Sequence, residues 1–560
     1  MKTSIIHGTR QATILRRSLR MALTVSAAAS TLGLLDSLHA ANVEKANNTT
    51  NLNLAGSYVS GGPPGAGDII SITSTMGGNK SVFLGADMSV AGISFDATAT
   101  GTLSIKVGNT LTIGASGISL ASVPAGGSNF DSSASIILAA DQTWAGGVRS
   151  ITIGGSATID ENGKALSITG TNLFNFNSSS AQTLNANISV NSMAVGGGTA
   201  GLTLTNTNNS FGALSITGGS VVTGSTLSSG GGNSTLGKGT ITIGGNASNG
   251  TLRYSGATAT ANQVLQHDAR ASVSTFEVSN AGTTLTNAGN LTTSSSNNTV
   301  VGNGWELGGA GNLKLTGVIS DSTATTRTGT TVKKIGSGTL VLGGVSTFTG
   351  GTTVSEGVLL VNTAQTAGNS GTGTGSVSVA AGTLGGTGII RPGTGNSISV
   401  ASGAILAPGD STAVSSIGTL VLDGGGTAAP LLTMNSGAQF SFDLGTASTS
   451  DRLNVWNYSS GDFVLSANAV NLTLDASIQS GSYTFTLFNF YTNNGAALSA
   501  DTFSGLALGT LSSNISSATF DYSMAGQIKL NVTAVPEPAS IALLGTGLLL
   551  VMTMRRRRQA

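Results

Sequence analysis

Between Lys334 and Gly388 apolar residues fall in runs of about four, alternate with Thr and Ser, and are broken by glycines. Thr339 to Leu342, Thr352 to Ser355 and Val358 to Val361 each have the length of a minimal strand. Gly343-Gly344, Gly350-Gly351 and Gly357 supply joints that tolerate positive φ. A second set follows in Gly375 to Val379, Ala380 to Leu384 and Gly385 to Ile390. No such run can bury its apolar face alone, but stacked on neighbours of the same kind it can.

The unit recurs. Gly201 to Phe211 followed by Ala213 to Val222 matches Gly338 to Val361 almost run for run, with Phe211 in the place of Phe348. Lys238 to Ile243 and Gly250 to Leu252 correspond to Gly375 to Val379 and Gly382 to Leu384. Gly101 to Ile113 and Arg149 to Ile153 are looser echoes. Self-similar short strands predict an all-β solenoid, with about twenty residues per rung and a rod on the order of 100 Å long.

Asn42 to about Ala200 is the most diverged part, with strands expected at Val90 to Phe95, Gly101 to Ile113, Ser135 to Ala139 and Val148 to Ile153. Gln142-Thr-Trp144 reads as a joint, and Gly61-Gly-Pro-Pro-Gly65 as a turn, because two prolines remove two donors. Gln263 to Arg270 is the only patch between the two ends that could form a helical turn or two. From about Ser411 the repeats fade into a β-rich closing region, with strands at Ala438 to Leu444, Val470 to Leu474 and Tyr483 to Tyr491. This region would cap the open end of the solenoid. The organisation expected is therefore 41–200 diverged solenoid, 201–410 repeats, 411–534 cap and 535–560 tail.

The ends differ from this pattern. Lys2, Arg10, Arg16, Arg17 and Arg20 precede the apolar stretch Met21 to Leu35, and Leu38-His-Ala40 or His39-Ala-Ala41 suits cleavage, so residues 1–40 read as a signal peptide. Arg16-Arg17 lacks the residues that follow a twin-arginine signal, which leaves the Sec translocon as the export partner. At the other end, Val535-Pro-Glu-Pro538 leads into the uncharged run from Ala539 through Leu544 and Leu549 to Met554, then Arg555, Arg556, Arg557 and Arg558. A helix over 539–554 would be roughly 24 Å long, short against a hydrocarbon core of about 30 Å unless arginine stems snorkel. The arginines place that end in the cytoplasm by the positive-inside rule, giving a single-pass precursor in the inner membrane with its bulk outside.

Composition adds exclusions. Eighty-two glycines, sparse charge and few aromatics lie far from an average enzyme, and with no cysteine there are no disulfides. Basic residues cluster at the two ends, so the region between is mildly acidic, which argues against nucleic acid as a partner.

Two stretches resemble known families. Lys334 to Asn362 resembles the autotransporter-associated β-strand repeat through Lys334, Gly336, Gly338, Thr339, Leu340, Leu342, Thr347, Phe348, Gly350, Gly351, Thr352, Val354, Gly357 and Leu359. It departs at Gly343, where a small polar residue is usual. The resemblance implies a right-handed parallel β-helix, surface display and no chemistry. The tail resembles the PEP-CTERM sorting signal of Gram-negative bacteria. That implies recognition by an exosortase, a membrane-embedded cysteine transpeptidase, and cutting near Pro536 to Pro538. The product would be released to, or attached at, the cell surface, often alongside exopolysaccharide. A true autotransporter would end in a translocator barrel of about 250 residues; this chain ends in one apolar run and four arginines.

Motifs for chemistry fail on inspection, and no cofactor is expected. Gly232 to Gly239 approaches a phosphate-binding loop, but Gly239 replaces the required Ser or Thr and no helix is expected after it. Gly371, Gly373 and Gly375 imitate a dinucleotide fingerprint without a βαβ unit. After export only His267 remains of three histidines, which excludes a zinc site. His267 beside Asp268 could be half of a triad but has no nucleophile motif nearby. The Gly-Gly joints lack the Asp of calcium-binding nonapeptides. Asn-x-Ser/Thr triplets are as frequent as chance predicts at this composition. A β-helical polysaccharide lyase would need clustered carboxylates and a basic proton acceptor, and Asp160-Glu161 and Asp451-Arg452, each an acidic residue beside another charge, are not surrounded by more. The reading is a non-enzymatic exported surface or matrix solenoid, with a lyase or a carbohydrate-binding adhesin on the same scaffold as alternatives. Its faces should be ladders of Thr, Ser and Asn, suited to exopolysaccharide or other surface proteins.

Overall fold

The computed structural model describes residues 41–197, 201–245, 248–268, 273–294, 304–322, 329–410, 417–425, 430–446, 449–459, 461–492 and 505–535. Among the described residues short strands make up nearly all regular structure, and single-turn 3-10 helices lie at Ala55–Ser57 and Ser74–Met76. The described residues fall into two compact units divided between Asn172 and Leu173.

In the first unit parallel ladders stack one rung on the next. Asn42–Glu44 pairs with Ile69–Ile72, which pairs with Met88–Phe95. Lys80–Val82, Leu103–Ile105, Phe130–Ser132 and Ile151–Gly155 form a second ladder. The expected strand Gly101 to Ile113 is two strands on different sheets, Leu103–Ile105 and Leu111–Ser119. Gln142 to Trp144 is not a joint: it begins the strand Gln142–Gly147, and Trp144 is fully buried with its Nε1 donating to Gln142 Oε1 at 2.8 Å. Gly61 to Gly65 is irregular, as two prolines require.

The first rung would expose a strand edge, and the chain folds back to cover it. The Ala46 amide donates to Ser57, Val59 to Glu44 and Leu52 to Phe83, while the Tyr58 hydroxyl donates to the Leu52 carbonyl at 2.8 Å. This is the usual remedy for an edge that would otherwise template foreign strands.

The second unit is a three-sided coil. One side runs from Gln182–Leu184 to Phe463–Val464, a second from Ala259–Ala261 to Leu506–Leu511, and a third from Leu173–Ser178 to Ile319–Ser322. Pairing within these sides is parallel, with register shifts at Leu291 to Thr293 and Val470 to Leu472, and where it stays in register inward residues form columns. On the first side one column reads Leu252, Phe276, Leu307, Lys334, Val354, Val379, Val400 and Met434. Period-two alternation over four or five residues places every second side chain in such a column. Rungs vary in length: Thr352 stacks on Val332, about 20 residues back, whereas Leu432 stacks on Ile398, about 34 back. Gln263 to Arg270 is not helical where described, because Leu265–His267 is a third-side strand with Leu265 and His267 buried.

The repeat-like copy at Gly201 is displaced by one side. Gly201–Leu204 lies on the first side and Ala213–Ile216 on the third, whereas Thr339–Leu342 lies on the second and Thr352–Val354 on the first. A four-residue run of alternating Thr and Leu fits any side of the coil, so matching runs did not mean matching sides.

Beyond Val358 runs become buried on both faces, as in Leu359–Val361, Leu384–Gly386 and Leu420–Gly424. Here a further parallel sheet builds from Ile389–Ile390 through Thr419–Asp423 and Arg452–Trp456 to Gly481–Phe490. Antiparallel pairing of strands enters at its end, where Gln527–Ala534 lies between Gly481–Phe490 and Ile515–Asp521. The core there is aromatic: Phe488 packs edge-on to Phe440 and Phe442 at 5.3 and 5.2 Å.

Candidate functional site

The repeat rung begins with strand Thr331–Ile335 on the first side, turns at Gly336 and Gly338, and runs through Thr339–Leu342 on the second. It passes the third side with Phe348 buried, turns at Gly350 and Gly351, and returns as Thr352–Val354. Gly357, at φ +67°, starts the next second-side strand, Val358–Val361. Leu340 is buried in register with Leu313 and Leu359.

The glycines are required by stacking. Cβ atoms at Gly336, Gly338 and Gly350 would strike the backbone of Gly309, Gly311 and Thr330 on the rung before, and one at Gly357 would strike Gly336 and Gly338 oxygens and the Lys334 amine. Gly343 is the exception, since its Cβ would lie 3.4 Å from the nearest atom. That fits the one position where this repeat departs from its usual residue. Phe348 and Phe211 each pack beneath a positive-φ glycine of the following rung, Gly373 and Gly237.

Lys334 is the unexpected member. Its side chain points into the coil between Leu307 and Val354, fully buried, and its Nζ donates to the carbonyls of Ile335, Gly336 and Glu356. Burying an ammonium costs several kcal/mol, but each charged hydrogen bond returns about 1.5–3. Three bonds therefore roughly balance the cost while saturating carbonyls at a corner where no strand can reach them. Burial still pushes its pKa down to about 8. Lys45 does the same near the start of the first unit, donating to Ala46 O, Asn48 O and Asn48 Oδ1 at 3.0 Å each, and is likewise pushed down to about 8. The sequence signal for both is a lysine at an inward position of an alternating strand.

The groups considered for catalysis take structural roles. His267 Nδ1 lies 2.7 Å from Ser274 Oγ, a partner far enough along the chain to escape notice in the sequence. However, Ser274 Oγ donates its proton to the Ile243 carbonyl at 2.6 Å, so the ring donates to the hydroxyl and does not activate it. Both residues are fully buried. Asp451 is buried and accepts the amides of Gly418 and Asp443 at 2.8 and 3.0 Å, with its pKa pushed up to about 7 by burial. Asp160 accepts the Asn162 amide at 2.9 Å in a turn. In Gly232 to Gly239, Ser234 Oγ donates back to the Gly237 carbonyl and the chain continues into strand Thr240–Ile243. Among the described residues no group of three His, Asp or Glu could hold a metal ion.

Outward residues of the first side also stack in rows. One row reads Thr251, Thr275, Glu306, Lys333, Thr353, Ser378, Ser399 and Thr433. Two ion pairs interrupt this polar face, Lys333–Glu306 at 3.0 Å and Arg253–Glu277 at 2.6 Å.

The described chain ends at Val535, whose amide donates to the Asn514 carbonyl at 2.9 Å. Pro536, Glu537 and Pro538, the apolar run marked by Ala539, Leu544, Leu549 and Met554, and Arg555 to Arg558 lie outside the described residues, as does the signal segment. Among the described residues no helix is long and apolar enough to cross a membrane.

Comparison with known families gives two matches. Residues 332–361 match the passenger-associated-transport-repeat, and residues 534–558 match the PEP-CTERM protein-sorting motif. The chain carries both, which marks it as an exported cell-envelope or surface protein with exosortase as its processing partner. Among curated proteins, none matches it.

Proposed function

We propose that this protein is a non-enzymatic structural or adhesive element of the cell surface or extracellular matrix. It is a right-handed β-solenoid that is exported by the Sec route and held first by a single C-terminal helix. It is then cut from that helix by an exosortase. The observation that carries this reading is the presence in one chain of parallel-stacked strands with hydroxyl-rich outer rows and of a matched sorting motif at residues 534–558. The near absence of clustered ionisable groups on the described solenoid supports a role in weak, repeated contacts over one in turnover.

The test is replacement of Pro536, Glu537 and Pro538 by alanine in the producing cell. The variant should insert in the membrane as the wild type does, yet accumulate as full-length precursor. Normal shortening of this variant would reduce the tail to an anchor.

A further inference from the structure

The outer face of the first side opens with a groove. Thr183, Thr203, Thr223 and Arg253 stack in one outward row, with Gly201 and Val221 in the row beside it. Together with Ala181 and Gln182 they line a depression of about 460 Å³, a volume in the usual range of ligand pockets. Gly201 makes the dip. A Cβ there would meet no atom within 4 Å, so this glycine leaves open space where the stacking glycines of the repeat leave only clearance.

The three threonine hydroxyls bond to no described residue. Neighbouring rungs hold them about 4.8 Å apart, too far to bond one another. Each can both donate and accept. Arg253 stands at the end of the row, where its Nε donates to Glu277 Oε1 at 2.6 Å. That pair cancels the arginine's charge and leaves its Nη donors for a ligand. Of the described residues lining the groove, no other is charged. An anionic chain would therefore find no net positive charge here, and would meet the Glu277 carboxylate beside the guanidinium.

We propose that this groove binds a neutral, extended polysaccharide, with successive sugars on successive rungs. Their hydroxyls bond Thr183, Thr203 and Thr223, their ring faces lie on Ala181, Gly201 and Val221, and Arg253 holds the last sugar through its Nη donors. The inference deepens the adhesive reading above and rests on it.

The test is calorimetric titration of the purified full chain, in detergent, with cellohexaose as the neutral probe and hexamannuronate as its charged counterpart. Wild type should bind cellohexaose more tightly than hexamannuronate. Thr203→Val, which keeps the shape and removes one hydroxyl, should weaken binding about fivefold, the equivalent of one hydrogen bond. Gly201→Phe should fill the dip and abolish binding while melting as wild type does. Thr353→Val, on the same side but outside the groove, should bind as wild type. Undiminished binding by Gly201→Phe, or tighter binding of hexamannuronate, would overturn the proposal while the adhesive reading stands. Wild type that is retained on washed producing cells yet binds neither hexasaccharide would also overturn the groove alone. Wild type that washes off those cells freely would overturn the adhesive reading, and the groove with it.

Discussion

The Lys334 ammonium donates to the carbonyl oxygen of Glu356 on the following rung at 3.1 Å. This bond crosses from one turn of the coil to the next inside an otherwise apolar column, and it gives the repeat's lysine a structural role. Lys334→Met should keep the volume but orphan three carbonyls, at a net cost of about 1–3 kcal/mol. Hydrogen exchange should locate the loss at the amides of Ser355 and Val358, which bond to Lys334 O and Gly338 O. Burial holds the amine at about 8, below its ordinary 10.5. The unfolded chain therefore binds the extra proton between those values, and wild type should gain on the variant as pH rises through that window.

Rung-to-rung clearance sets the second expectation. Gly373→Ala places a Cβ against the Phe348 carbonyl at φ +66°, and Gly237→Ala places one against the Phe211 ring at φ +74°. Each should cost at least about 2 kcal/mol in a denaturant melt. Gly62→Ala, with open space around it, should be nearly neutral.

Much of this was legible in the sequence because a solenoid is locally encoded. Thr339 to Leu342 states its own alternation, and Gly336, Gly338, Phe348, Gly350 and Gly357 each report a contact one rung away. What the sequence did not reveal was phase. The runs at Gly201 and Gly338 look alike yet occupy different sides, because the side depends on rung lengths fixed by loops without periodicity. Leu265 to His267 misled for a related reason: one short, polar-flanked turn of the coil carries too little pattern to separate strand from helix. The Ser274 partner of His267 and the cage around Lys334 arise only from stacking.

Asp451 provides a pH test. Its carboxylate holds the amides of Gly418 and Asp443, and burial raises its pKa to about 7 from an ordinary 3.8. The native state binds the proton more tightly, so this group's contribution is fully present below pH 3.8 and lost as pH rises through 7. Asp451→Asn presents an amide to one of the two N–H donors and should cost about 1–3 kcal/mol. The stability gap between wild type and variant should narrow from about pH 4 to pH 7.

The non-enzymatic reading proposed above is testable on acidic polysaccharides. Purified 42–534 should show no calcium-dependent cleavage of pectin or alginate by unsaturated-product absorbance. Turnover would favour the lyase alternative.

Topology can be tested at the arginines. Neutral replacements at Arg555 to Arg558 should weaken cytoplasmic retention of the tail end, read by protease protection of a C-terminal tag in spheroplasts. Unchanged protection would mean that the cluster does not set orientation.

The central claim is tested most directly by the intact mass of the protein recovered from the surface or medium of producing cells. The account predicts a chain that begins near Ala40 to Asn42 and ends between Val535 and Pro538, with signal and arginine-tipped tail both gone. A surface species of full length, with all 560 residues present, would contradict it.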